Sequence, residues 1–339
     1  MAVQDDGRPG RGVTMAAVGR LAGVSQVTVS RALSDPSRVS PETLERFRAA
    51  IALTGFVPNA LAGALASRRS RLVTALVPSI TNTVYAAMVQ SFTRELSGRN
   101  YQILMSETGL DPKVEEAAIA AHLSRRPDAM LLTGIHHTAQ ARRMLLAAGI
   151  PVVEMWDVTD TPVDLCVGFN HVAAGRAMAA YCLAAGYRRA ATVSAGDERA
   201  LRRKDGFRQA FLTGAPGPIP DVTCAGEASL GGGREALARL IDDQGFATGV
   251  VACSSDLLAH GILIEARARR LAVPGRVAVI GFGDQDYAAD LLPALTSVRV
   301  DRQALGRIAA EAILARIEGG PPPPAVTDLG FEIVRRESA

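Results

Sequence analysis

Gln26, Val27, Ser30 and Arg31 fall within six consecutive residues and carry side chains suited to reading flat, hydrogen-bonding surfaces. Gln sets a donor beside an acceptor and pairs bidentately with adenine. Arg is a planar fork that fits guanine, and Val can touch only a thymine methyl. A second group of polar residues stands where apolar runs end: Ser79, Asn82 and Tyr85, then His137, Glu154, Asp157, Ser255, Asp256 and Asp284. Brought together, such groups would hydrogen-bond a small polar ligand in a crevice. Glu154 and Asp157 are equally compatible with strand-end caps.

Other chemistry finds no support. The chain has no GxSxG and no HExxH; GFG at 281–283 lacks a GxGxxG continuation, and GGG at 231–233 lacks GK[ST]. His136 and His137 are neighbours, and adjacent residues do not share a helical face for a metal. The four cysteines are scattered without a CxxC pair and read as buried thiols. Neither an enzyme nor a metal or cofactor site is expected.

The first group needs a helix to present it. Thr14 is a suitable N-cap for a helix to about Ala22, which Gly23 stops, and Ser25 caps a second from Gln26 to about Leu33. Ser40, Pro41 and Glu42 open a third, with Leu44, Phe47 and Ile51 on one face and Gly55 at its end. Val29, Ala32 and Leu33 form the inner side of the second helix, which turns the reading residues outward. Two helices joined by a three-residue turn and backed by a third give helix-turn-helix geometry. An ordinary three-helix bundle with a polar face fits the same periodicity.

Charge separates this module from the rest. Residues 13–71 hold eight arginines against three acids, a net +5, in a chain whose total is +3. A basic module on a slightly acidic body points to a polyanionic partner for the module alone. No apolar stretch is long enough to span a membrane. MAVQDDGRPGRG, residues 1–12, reads as a flexible tail without the apolar run of a signal peptide, so a cytoplasmic protein is expected.

The second group needs a sheet. LVTALVP, YQILMSE, AMLLTG, PVVEMWD, RAATVSA, GVVACS and VAVIGFGD are short buried-strand runs, separated by amphipathic stretches such as 84–96 and 114–123. This βαβ alternation predicts an α/β fold with parallel sheets covered on both faces, and ligands at the strands' carboxyl ends.

AGVSQVTVSRAL, followed by VSPETLERFRAAIALTGFVPNALAGALA, resembles the DNA-binding end of the lactose-repressor (LacI/GalR) family of bacterial transcription factors. The match is close in GVSxxTVSR, in the Val-Ser start of the third helix and in GFVPNxLAxxL. It extends more loosely over the whole chain. The resemblance implies a helix-turn-helix domain at 13–58, a hinge helix and linker at 59–71, and a periplasmic-binding-protein-like clamshell at 72–339. Its halves are expected at about 72–168 with 298–322, and at 169–297 with 323–339.

By the same resemblance Gln26, Val27 and Arg31 would read bases, while Thr14, Ser25, Thr28, Ser30 and Asn59 would contact phosphates. Ala62 and Leu65 would enter the minor groove, Leu65 as the wedge. The implied partners are a palindromic double-stranded operator, a small effector and a second copy of the chain, with a tetramer as a further assembly. Gly19 departs from the Ala usual in the first helix, at a cost of roughly 0.5–1 kcal/mol.

Arg203, in RRKDGF, matches the family's RxxG[FWY] effector arginine, within what reads as a loop crowded by Arg199, Arg202 and Lys204. Sugar-responsive members read GYDD or GFDD after the late strand, where the first Asp holds sugar hydroxyls; this chain has GFGD, with Gly283 in that place. An acid is lost while the basic stretch remains, which favours an anionic effector. VVEMWD, VGFN, GDERALRRKDGF and DLGF are similar to the gluconate-operon repressors of the family, so the expected effector is a sugar acid such as gluconate. The alternatives are a regulator answering to a neutral sugar or nucleoside, and a transport-type solute-binding protein.

Overall fold

The computed structural model describes residues 13–58 and 69–339. The expected tail and the hinge residues Asn59, Ala62 and Leu65 lie outside the described residues. The chain divides into two compact units between Arg71 and Leu72.

In the first unit, helices α1 (Met15–Ala22), α2 (Gln26–Ser34) and α3 (Pro41–Thr54) each begin on the expected cap. Thr14, Ser25 and Ser40 accept from the backbone N–H of Ala17, Thr28 and Thr43. Gly23 and Gly55 end α1 and α3 at φ of 65° and 62°, a region that costs glycine no Cβ clash. Val18, Val29, Ala32, Phe47 and Phe56 form a small closed core. Gly19 has a packing reason that its helix propensity hides: a Cβ there would lie 2.9 Å from the Val24 carbonyl oxygen. Alanine would push against the turn between α1 and α2.

The second unit contains two six-stranded sheets. The first has the order β11-β5-β4-β3-β1-β2. It is built from β1 (Leu72–Val77), β2 (Gln102–Glu107), β3 (Ala129–Thr133), β4 (Val152–Met155), β5 (Leu165–Gly168) and β11 (Val326–Asp328). The second has the order β12-β10-β9-β8-β6-β7. Its strands are β6 (Ala190–Ser194), β7 (Asp221–Thr223), β8 (Gly249–Cys253), β9 (Val277–Phe282), β10 (Thr296–Arg299) and β12 (Glu332–Val334). All pairings are parallel except β10 with β12.

Around the first sheet lie α4 (Thr83–Ser97), α5 (Pro112–Leu123), α6 (Ala139–Ala148) and α11 (Arg302–Glu318). Around the second lie α7 (His171–Ala184), α8 (Glu198–Gly214), α9 (Leu230–Asp242) and α10 (Asp256–Ala268). Central strands such as β1, β3 and β9 are buried almost throughout, as continuous apolar runs covered on both faces must be. No described helix is long and apolar enough to cross a membrane.

The expected division into halves needs correction at its late segments. β10 belongs to the second sheet in full, and β11 pairs with β5 of the first. The chain therefore crosses between sheets after β5, after β10 and again between β11 and β12. A three-residue strand carries too little periodicity to announce which sheet it joins. The stretch Arg199–Lys204 is also no loop. It is the first turns of α8, with the Asp197 side chain accepting from Ala200 N–H at the cap.

Candidate functional site

On the first unit, α2 turns Gln26, Val27, Ser30 and Arg31 outward, and Val27 is 67% exposed. A large aliphatic residue is left in water on a helix whose Val29 is fully buried. Ser25 Oγ and Thr28 Oγ1 lie 3.0 Å apart and Thr14 caps α1, so all three hydroxyls sit at helix N-termini, where backbone N–H groups favour phosphate oxygens.

On the second unit, a cavity of about 460 Å³ lies between the carboxyl ends of the two sheets. Of the residues expected there, Ser79, Asn82, Tyr85, Arg203, Ser255 and Asp256 line it. Asn82 and Ser255 are also the caps of α4 and α10, so each already accepts from a backbone N–H. Asp256 is 1% exposed and is held by the Ser297 hydroxyl at 2.5 Å and the Gln285 N–H at 2.6 Å. Burial raises its pKa to about 6 against those two hydrogen bonds.

Arg203 is the cavity's buried cation, 8% exposed. One Nη faces His171 Nδ1 at 2.8 Å and the other donates to the Ser254 carbonyl at 2.8 Å, with the guanidinium carbon 4.0 Å from the Phe282 ring centroid. Burial lowers its pKa to about 10, so it stays charged at neutral pH. Among the described residues its Nε has no hydrogen-bond partner, and the same holds for Trp156 Nε1 and Tyr287 Oη, both on residues lining the same cavity. Buried polar atoms without protein partners are rare, and these three gather beside one cavity.

Four expected residues do not line this cavity. His137 lies between two carboxylates, 2.8 Å from Glu115 and 3.2 Å from Glu154, and its side chain is 1% exposed. Asp157 points to the neighbouring depression and pairs with Arg202 at 2.5 Å. Asp284 faces a third depression, held by Arg299 and Arg336, and these outweigh burial to keep its carboxyl below the usual range. The strand-end rule placed these groups at the right end of the sheet but not on the right side of it.

Burial alone would lower the pKa of His137, but the hydrogen bonds and charges of Glu115 and Glu154 raise it to about 9. A raised pKa stabilises the fold fully below the unfolded value of about 6.5, and this contribution is lost as pH rises through 9. We expect the stability of the 72–339 unit to fall between pH 7 and 9.5 by on the order of 2–3 kcal/mol. Urea titrations should show this fall in the parent chain and a flatter profile in His137→Gln.

Several cavity residues were missed. Trp156 is the sole tryptophan and stands at the end of β4 with φ of 69°, which is costly for a bulky side chain. It meets Tyr85 edge-on at 5.6 Å. Tyr85 in turn accepts from Arg199 at 2.8 Å, a bond that spans the two sheets' elements. Phe282 and His171 complete the aromatic wall. A lone Trp at a strand end was the available signal; Phe282 and His171 gave none. Gly283 sits at φ of 121°, and a Cβ there would approach Asp256 Oδ2 and Val84 Cγ2 at 3.8 Å. Gln285 Nε2, at 3.7 Å, is nearer still, so the position is lined by side chains in ordinary contact.

Residues 14–59 match the model of the bacterial regulatory proteins of the lacI family, and residues 179–339 match a periplasmic binding protein-like domain. The HTH-type transcriptional regulator GntR of Pseudomonas aeruginosa is 38% identical over 98% of this chain and 96% of its own length. GntR of Escherichia coli K12 is 33% identical over 92% and 94%. A crystal structure of a LacI-family transcriptional regulator from Silicibacter pomeroyi superposes with a TM-score of 0.89 at 33% identity, covering 96% of this chain and 99% of that one. With a helix-turn-helix unit and a two-sheet binding core in one chain, the protein belongs to the lacI family of bacterial regulatory proteins and is a DNA-binding transcriptional regulator, not an enzyme.

Proposed function

We propose that the chain is a homodimeric repressor of a sugar-acid catabolic operon, whose operator affinity changes when gluconate or a related sugar acid occupies the cleft. Gln26, Val27 and Arg31 read base edges, and Thr14, Ser25, Thr28 and Ser30 hold phosphates, in two palindromic half-sites. Asn59 is assigned to phosphate, and Ala62 and Leu65 to the minor groove. In the cleft Arg203 receives the carboxylate, with Ser79, Asn82, Tyr85, Ser255 and Asp256 around the polyol chain.

The observation that carries the effector class is the state of Arg203. It is a buried guanidinium whose direct partners among the described residues are a histidine ring, a carbonyl and an aromatic face, none of them an acid. A carboxylate matches its fork and supplies the missing charge. The likeness of VVEMWD and VGFN to gluconate-operon repressors agrees with this reading. Calorimetric titration with gluconate and with glucose tests the assignment: gluconate is expected to bind the more tightly, and tighter binding of glucose overturns it.

A further inference from the structure

We propose that His171, held as a neutral imidazole, is the positioning residue that makes the cleft select an anion over a neutral ligand. The inference rests on the sugar-acid reading and names the residue that enforces it.

His171 is the first residue of α7 and is 1% exposed. Its Nε2 lies 2.7 Å from the Trp156 carbonyl oxygen. A carbonyl only accepts, so Nε2 carries the proton and donates. Nδ1 is then a lone pair, and it accepts from Arg203 Nη1. Both ring nitrogens are thus assigned by their partners, and the tautomer is fixed.

The surroundings oppose a second proton. The ring is buried, and Arg203, Arg199 and Arg202 of α8 all bear on it, which together push its pKa well below the ordinary value. Phe169 lies 4.5 Å away and Phe282 6.2 Å away, between ring centroids, and neither brings a charge. The carboxylates that bear on Arg203 are Asp197 and Asp157. Asp197, which caps α8 and lines the cavity, acts on Arg203 through space, and Asp157 pairs with Arg202; neither is hydrogen-bonded to the Arg203 guanidinium.

The consequence is electrostatic. A neutral acceptor orients the guanidinium over Phe282 without setting a negative charge in contact with it. A carboxylate at the same position would orient it equally well and neutralise it. The crossing of α7 and α8 makes position 171 the place where this is decided. At Gly175 a Cβ would collide with the Arg203 carbonyl oxygen, and at Gly206 with that of Val172. The two backbones are locked in register, and residue 171 faces Arg203.

Three full-length proteins separate the possibilities. In His171→Asn the amide oxygen takes the place of Nδ1 as a neutral acceptor; His171→Glu supplies the cancelling charge. By calorimetry His171→Asn should keep its preference for gluconate over glucose, with gluconate affinity within about tenfold of the parent. His171→Glu should lose about 100-fold or more in gluconate affinity while its weak glucose binding stays or improves. Unchanged gluconate binding in His171→Glu overturns the inference, because a cancelled Arg203 would then be irrelevant to selection. A parent protein that prefers glucose fails instead at the sugar-acid reading. Nitrogen-15 spectra of the unliganded parent add a measurement independent of any ligand or of the variants' folding. They should show His171 as the neutral Nε2–H tautomer from pH 8 to 5.5, and a protonated ring or the Nδ1–H form at neutral pH overturns the proposal.

Discussion

A chain shortened to begin at Leu72 is expected to bind no operator DNA, whereas the full chain binds with an affinity that collapses as salt rises. The net charge of +5 sits on residues 13–71, and the remainder of the chain is slightly acidic. Phosphate contacts made by such a module release counterions, and a dimer making six to ten of them should lose about 10³-fold or more between roughly 50 and 200 mM salt. The shortened chain retains both sheets and their cores, so its loss of binding is not a loss of folding. Within the module, Arg31→Ala should cost about 1–3 kcal/mol and relax preference at one base position, with specificity lost faster than non-specific binding. Fluorescence anisotropy against an operator and a scrambled duplex reads both effects. Operator binding by the 72–339 chain, or an Arg31 variant that weakens both duplexes equally, defeats the assignment of α2 as the reading helix.

The module was the most legible part of the chain because its signals are local. Caps, glycine stops and a proline at N1 each specify a boundary within a residue or two, and all three helices begin on the cap that the sequence offers. In the core, seven long apolar runs announced β1, β2, β3, β4, β6, β8 and β9. The other five strands have three or four residues each, and for β11 and β12 the sheet is set by partners far away in sequence. The same limit divides the candidate site. Ser79, Tyr85, Arg203 and Asp256 reach the cavity, while His137 and Glu154 turn to each other. A polar residue at a strand end is equally able to face a ligand or to pair with a neighbour, and only the neighbour's position decides. Arg203 was legible through its motif. His171, which orients it, was not, because a histidine opening a helix carries no local mark of what lies above it.

The other large effect is expected at Arg203. Arg203→Ala should abolish the response to gluconate-type acids while operator binding without effector stays near that of the parent. Removing the cation from a closed cleft leaves the ligand's carboxylate desolvated and unpaired, at a cost typically of about 3–5 kcal/mol, or more than two decades of affinity. Arg203→Lys should rescue little. An ammonium can supply the charge, but it cannot reach His171, the Ser254 carbonyl and a carboxylate at once while lying flat on Phe282. The variants carry a second, smaller cost: His171 Nδ1 and the Ser254 carbonyl lose a buried donor, so the core should be destabilised by about 1–3 kcal/mol. Thermal melts and operator binding without ligand separate this cost from the loss of response. The decisive measurement is the operator affinity of parent and variant with and without gluconate, at a temperature where both are folded. A folded Arg203→Ala protein that still answers to gluconate as the parent does shows that the acid is held elsewhere in the cleft, and the assignment of its carboxylate to Arg203 falls.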